Sequence, residues 1–130
     1  MPELLTPEGI TFVTDRHLAT LSTFGPDGGI HVVPVGFTYR DGLVRVITSS
    51  TSQKVVNLRR DPRATVSQVD GGRWITLAGV ARILDDPESV ALAVQLYAER
   101  YRVPGVNPLR VAIVIEVQKV MGSAGTRVLR

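Results

Sequence analysis

From His17 to Phe24 the segment HLATLSTF alternates apolar residues with small polar ones, the period-two signature of a half-buried strand. The alternation returns in Ile30 to Tyr39, and Arg40-Asp41-Gly42 then turns the chain tightly into a third strand from Leu43 to Thr48. Arg63 to Val69 and Trp74 to Leu84 read as a pair joined at Gly71-Gly72, and Val111 to Val120 as a last strand buried on both faces over its first half. Helices interrupt this series. Thr6-Pro7-Glu8 supplies a cap, a first-turn proline and an early acid for a short helix ending near Asp15. Val55, Val56 and Leu58 suit one face of a second helix, which Asp61-Pro62 stops. Asp86-Pro87-Glu88-Ser89 opens the longest, whose Val90, Val94, Tyr97 and Tyr101 recur at helical spacing before Pro104-Gly105. The pattern predicts a mainly β protein of six antiparallel strands closing into a small barrel, with flanking helices over its ends and seams.

Composition narrows the setting more than the fold. The 130 residues suffice for one domain, 1–130, and are too few for two. Apolar residues make up 44% and charged residues 21%, an ordinary globular balance. No apolar run approaches a membrane span, and no basic-then-apolar leader is visible, so a cytoplasmic protein is expected. With no cysteine there is no disulfide, zinc thiolate or thiol nucleophile. Net charge is +3, and 13 of the 15 basic residues are arginine, whose planar fork suits phosphate and carboxylate. These arginines, among them Arg16, Arg40, Arg45, Arg73, Arg82, Arg110 and Arg127, are scattered without interleaved aromatics, which argues against nucleic acid.

Candidate chemistry gathers where the period changes, at Thr48-Ser49-Ser50-Thr51-Ser52-Gln53-Lys54. Five hydroxyls and an amide leave a strand and enter a helix whose first charged residue is a lysine. A helix start carries free N–H groups and partial positive charge, so an acid is the ordinary choice there. The long helix makes that choice with Asp85, Asp86 and Glu88. Hydroxyls, N–H groups and Lys54 together make a phosphate site. The residues alone equally allow Ser50 or Thr51 to cap the helix while Lys54 reaches solvent.

The strand before it carries Pro34 and Gly36, which within a strand mark an edge, a bulge or close approach by a backbone or ligand. A barrel corner is the simpler reading. His31, Val33, Val35, Phe37 and Tyr39 share one face and Val32, Pro34, Gly36 and Thr38 the other. His31 has no second histidine at ligand spacing, so no metal is expected. Tyr97 and Tyr101 read as packing residues first. Arg100, Arg102 and Arg110 suit an anionic tail or substrate, or else solvated helix-end positions.

Thr-x-x-x-Ser-Gln-Lys followed by Asn57-Leu58-Arg59-Arg60-Asp61-Pro62-Arg63-Ala64 resembles the pyridoxamine 5′-phosphate oxidase-like split-barrel family. So do His31–Phe37, Ser67–Trp74, Tyr97–Arg102 and Val120–Ser123, and the resemblance runs from about His17 to Ser123. The combination looks most like its actinobacterial F420-dependent branch, similar to F420-dependent biliverdin reductases. The resemblance implies an FMN-binding split-barrel fold and a homodimer with cofactor at the subunit interface. Thr48, Ser49, Ser50, Ser52, Gln53 and Lys54 would grip the cofactor phosphate. The strand bearing His31, Val33, Pro34 and Val35 would line its rings, and Trp74 would reach the partner's cofactor. The function implied is hydride transfer from reduced coenzyme F420 to a conjugated small molecule, biliverdin-like or quinone-like, with no catalytic side chain assigned. The alternatives are an FMN-binding relative of pyridoxamine phosphate oxidases, or a non-catalytic cofactor carrier. The basic strand and the C-terminal Trp/Arg motif of true oxidases are missing, with Arg127-Val128-Leu129-Arg130 in place of the latter, so conversion of pyridoxamine phosphate is not expected.

Overall fold

The computed structural model describes residues 3–15 and 17–126; residues 1–2, Arg16 and residues 127–130 lie outside them. Ten elements follow in order: α1 (Pro7–Thr14), β1 (Ala19–Phe24), β2 (Ile30–Val35), β3 (Thr38–Arg40), β4 (Leu43–Ser49), α2 (Gln53–Arg60), β5 (Arg63–Asp70), β6 (Arg73–Leu84), α3 (Pro87–Arg100) and β7 (Arg110–Gly122). The count is seven strands, not six, because the segment predicted as one strand from Ile30 to Tyr39 breaks at Gly36-Phe37. Gly36 has no room for a side chain: a Cβ there would lie 3.1 Å from the Tyr101 ring and 3.2 Å from Tyr97. The corner exists because two tyrosines of α3 and its cap press against bare backbone.

That corner also closes the barrel. All strand pairs are antiparallel, in the order β2-β1-β5-β6-β7-β4-β3. In a flat sheet, six steps of about 4.8 Å would part β2 from β3 by roughly 29 Å. Gly36 and Phe37 allow only about 11 Å between Val35 and Thr38. The sheet therefore curls until its two margins meet along one continuous chain, the split barrel expected. A bulge at Ala78/Gly79 bends the long β6–β7 pair, where a Cβ on Gly79 would collide with the Glu116 carbonyl.

The interior is filled from every strand, by Leu21, Val35, Phe37, Val46, Val66, Leu77 and their neighbours, and closed by Leu5, Phe12 and Val13 around α1. β7 is apolar on both faces for a reason: Val111, Ile113 and Ile115 point inward while Ala112 and Val114 meet Ala93 of α3. Of the long helix only Ala93 is fully buried; Val90, Val94, Tyr97 and Tyr101 are half-buried. In α2, Val55 and Leu58 are buried and Val56 is exposed. Each buried pairmate contributes roughly 1.5–3 kcal/mol, enough to seat an eight-residue helix that would be marginal alone. Among the described residues, no helix is long and apolar enough to cross a membrane.

Candidate functional site

The end of β4 runs directly into α2 through Ser50-Thr51-Ser52, and this junction forms one wall of a cleft of about 360 Å³. Val46, Ile47, Thr48 and Ser49 line it from β4 and Lys54 from α2. Pro34, Val35 and Gly36 face them from the end of β2, Tyr97 comes from α3, and Pro104, Asn107 and Arg110 come from the loop into β7. The lining holds two cations and no carboxylate.

The junction is held by its own polar groups. Thr48 Oγ1 donates to Ser52 Oγ at 3.2 Å, and the Ser52 N–H donates to the Ser49 carbonyl at 3.1 Å. Asn107 Nδ2 donates to Ser49 Oγ at 2.8 Å and the Ser50 N–H to the Leu109 carbonyl at 2.8 Å, which stitches the β7 loop to the junction. Arg110 Nη2 donates to the Gly105 carbonyl at 2.6 Å, bracing the same loop. The cap of α2 is Ser52, rather than Ser50 or Thr51, and its side chain makes no capping hydrogen bond. The N–H groups of Val55 and Val56 both reach the Ser52 carbonyl, leaving those of Gln53 and Lys54 without an acceptor in the helix. Burial pulls the Lys54 ammonium below the ordinary lysine value.

The predicted site residues divide. Pro34, Val35, Thr48, Ser49 and Lys54 come together in the cleft, and Ser50 and Ser52 form the turn behind them. The Gln53 amide is turned along the helix, where Nε2 donates to Asn57 Oδ1 at 2.7 Å; Asn57 in turn donates to Thr23 Oγ1 at 3.1 Å and pins α2 to β1. Val33 and His31 lie further back on β2, with His31 opposite Thr23 and its Nδ1 buried without a partner. Trp74 lies outside the cleft, half-exposed on β6 opposite Val69.

Asn107 and Pro104 escaped sequence reasoning because a loop gives no period, although an asparagine between two prolines is a turn signal. Tyr97 is both packing and lining. Arg100 is not available to an anionic tail. Its Nε and Nη2 donate to the Asp15 carbonyl, Nη1 to the Phe37 carbonyl, and Nη2 also to Gln68 Oε1. Tyr101 is likewise spent, donating towards the His17 and Phe37 carbonyls at 3.0 and 2.9 Å. Both residues lock the β2–β3 corner that forms one side of the cleft. No cluster of metal-ligating side chains occurs among the described residues.

Known proteins share this architecture. The family model described as pyridoxamine 5′-phosphate oxidase matches residues 5–123. An F420H(2)-dependent biliverdin reductase of Mycobacterium tuberculosis (strain CDC 1551 / Oshkosh) is 45% identical over 122 residues, 92% of this chain and 89% of that protein. The solved structure of a conserved hypothetical protein from Mycobacterium tuberculosis superposes with a TM-score of 0.80 at 29% identity, covering 94% of this chain and 87% of the other. That of an F420 reductase gives 0.73 at 26% identity, with 89% and 98% covered.

Proposed function

We propose, since this chain belongs to the pyridoxamine 5′-phosphate oxidase family, that it is an F420-dependent reductase acting on a conjugated small molecule. The observation that carries this reading is the open start of α2, where two unclaimed N–H groups, two hydroxyls and Lys54 converge with no acid in the lining. That donor set fits a phosphate. Thr48, Ser49, the first turn of α2 and Lys54 hold it, and Arg110 takes further negative charge of a tail or substrate. From there the cleft runs to Pro34–Gly36, where backbone with little side chain leaves space for a flat ring system. Bound there, reduced F420 supplies the hydride. The chain positions donor and acceptor, and Val46, Ile47 and Pro104 keep water from the ring end. Neither carboxyl nor imidazole lines the cleft, so no acid–base side chain of those kinds is assigned.

The active form in this reading is a homodimer. Ile30, Val32 and Pro34 are exposed along β2, and Pro34 also lines the cleft, so the apolar face and the site are continuous. A second copy on that face would complete the cleft, and the exposed Val69–Trp74 pair lies across the same sheet, through β1 and β5.

Titration of the purified protein with F420 and with FMN, followed by reduced F420 against biliverdin and a quinone, tests the proposal. The expected result is tighter binding of F420 and its oxidation by one acceptor. Preference for FMN would overturn the cofactor, and F420 binding without turnover would make the protein a carrier. Light scattering that finds only monomer with cofactor bound would overturn the dimer.

A further inference from the structure

The buried side of α2 carries a polar residue where an apolar one would seat the helix equally well. Asn57 is 0% exposed, level with Val55 and deeper than Leu58, the other two buried residues of the helix. Both ends of its amide are bonded within the chain. Nδ2 donates to Thr23 Oγ1 of β1 at 3.1 Å, and Oδ1 accepts from Gln53 Nε2, one helical turn back, at 2.7 Å. Thr23 is itself buried. The relay Thr23–Asn57–Gln53 therefore starts on a strand of the sheet and ends on the first residue of α2. Gln53 is also one of the two residues whose backbone N–H has no acceptor in the helix, while its side chain lies outside the cleft lining.

Burial of Val55 and Leu58 holds α2 to the barrel without direction, since apolar contact resists withdrawal but opposes rotation or sliding only weakly. An eight-residue helix is about 12 Å long, so a tilt of about 10° about its far end carries the first turn roughly 2 Å. Groups that bind a ligand have to be held to about 0.5 Å. Directional bonds supply that precision on both sides of the helix start. From β4, Thr48 Oγ1 reaches Ser52; from β1, the relay reaches Gln53. These strands stand four steps apart in the order β1-β5-β6-β7-β4, so the first turn is tied to two separate parts of the sheet. Near the other end of α2, Arg60 Nη2 donates to the Phe24 carbonyl at 2.6 Å, a second tie to β1. Replacing both partners of a buried hydrogen bond by apolar groups of like shape is close to neutral for stability. The polar pair at Thr23 and Asn57 is therefore better explained by the register it imposes than by fold strength.

We infer that Thr23, Asn57 and Gln53 are positioning residues of the phosphate site proposed at α2, a role that rests on that reading. Gln53 then serves the anion without its side chain touching it: the amide is turned to Asn57, and what the residue offers the phosphate is its backbone N–H. Lys54 and the open N–H groups make the contact, and the relay fixes where they stand.

The test is nuclear magnetic resonance of the Gln53 and Lys54 backbone N–H signals in the full chain, titrated with inorganic phosphate well below the Tm of each variant. F420 affinity and the Tm without ligand are measured beside it. Thr23→Val and Gln53→Met should each weaken phosphate and F420 by roughly three- to tenfold, the effect of one hydrogen bond. Thr23→Ser, which keeps the hydroxyl, should bind as wild type does. The double variant should be no weaker than the weaker single one, because both changes break the same relay. Thr23→Ala serves if the valine variant fails to fold, and Gln53 is exposed enough to replace freely. Unchanged affinity in both single variants, with a lower Tm alone, would overturn the inference and leave the relay a support of the fold. Weakening by Gln53→Met but not by the Thr23 variant would also overturn it, making the Gln53 amide a direct phosphate contact. Lys54→Ala is the control for the site itself. No saturating shift in wild type, or one that Lys54→Ala leaves intact, would remove the phosphate from α2 and the positioning role with it.

Discussion

Two helices of this molecule begin in opposite ways. At α3 the chain closes its own terminus: Asp86 accepts from the Ser89 N–H at 3.0 Å, Pro87 takes the first position and Glu88 adds charge to the first turn. The Asp86 carboxyl is held below its ordinary value first by that backbone bond. At α2 the cap residue is turned elsewhere, its hydroxyl receiving Thr48, and the first turn holds no acid but a half-buried lysine. One terminus is closed by its own side chains; the other leaves the Gln53 and Lys54 N–H groups without an acceptor in the helix, the feature on which the proposed phosphate site rests. Ligand affinity and native stability should therefore respond in opposite senses at the two sites.

The largest effect is expected from Lys54→Ala. Loss of a charge-assisted contact to phosphate costs roughly 1.5–3 kcal/mol of binding, or about ten- to a hundredfold in Kd. A cofactor titration measures it. The Tm without cofactor should not fall, since the lysine is held below its ordinary value by burial. Unchanged affinity would remove the phosphate from α2.

Ser52→Asp makes α2 resemble α3. Affinity should drop by about tenfold or more, a repulsion of about 1.4 kcal/mol, while the free protein gains about 0.3–1 kcal/mol from an anion at the helix start. Tighter cofactor binding in this variant would break the comparison. Asp86→Ala, its mirror, should lower Tm and leave cofactor affinity unaltered, as read by calorimetry and the same titration.

The smallest effects are in pH. For Lys54 the unfolded chain binds its proton more tightly than the folded one, so stability rises with pH between the lowered value and the ordinary 10.5. Lys54→Met should flatten that rise in urea titrations. At the acid end, Asp61 lies at about 2, chiefly through its hydrogen bond from Arg63. Its contribution is full above the ordinary 3.8 and is lost as pH falls towards about 2. Asp61→Asn should remove that acid-side slope.

What was readable from sequence followed from short-range chemistry. Thr6 caps the helix it was expected to cap, Asp86 caps the helix that Asp86-Pro87-Glu88-Ser89 was expected to open, and Asp41-Gly42 turns with positive φ at both residues. The double-sided apolar strand at Val111 was equally plain. Long-range contacts were not readable. Pro34 and Gly36 were legible as a barrel corner, but the two tyrosines from sixty residues away that press on Gly36 were not, so one predicted strand became two. Arg100 looked like a helix-end charge, because its acceptors are carbonyls at Asp15 and Phe37 that composition cannot display. At the cleft, the lysine and its hydroxyls were legible as a cluster, whereas Asn107 and Pro104 arrive only through the fold. Trp74 stays outside the cleft of a single chain, so its expected role depends on a partner.

The turn at Gly36-Phe37 has a consequence for solubility. A sheet of seven strands laid open would offer two long margins of unpaired amides on which foreign strands could assemble into fibrils. Here the margins are brief, six residues on β2 and three on β3, and the chain itself joins one to the other. Pro34 deletes a donor from the longer of them. The corner that shapes the cleft thus also guards the molecule against templated aggregation.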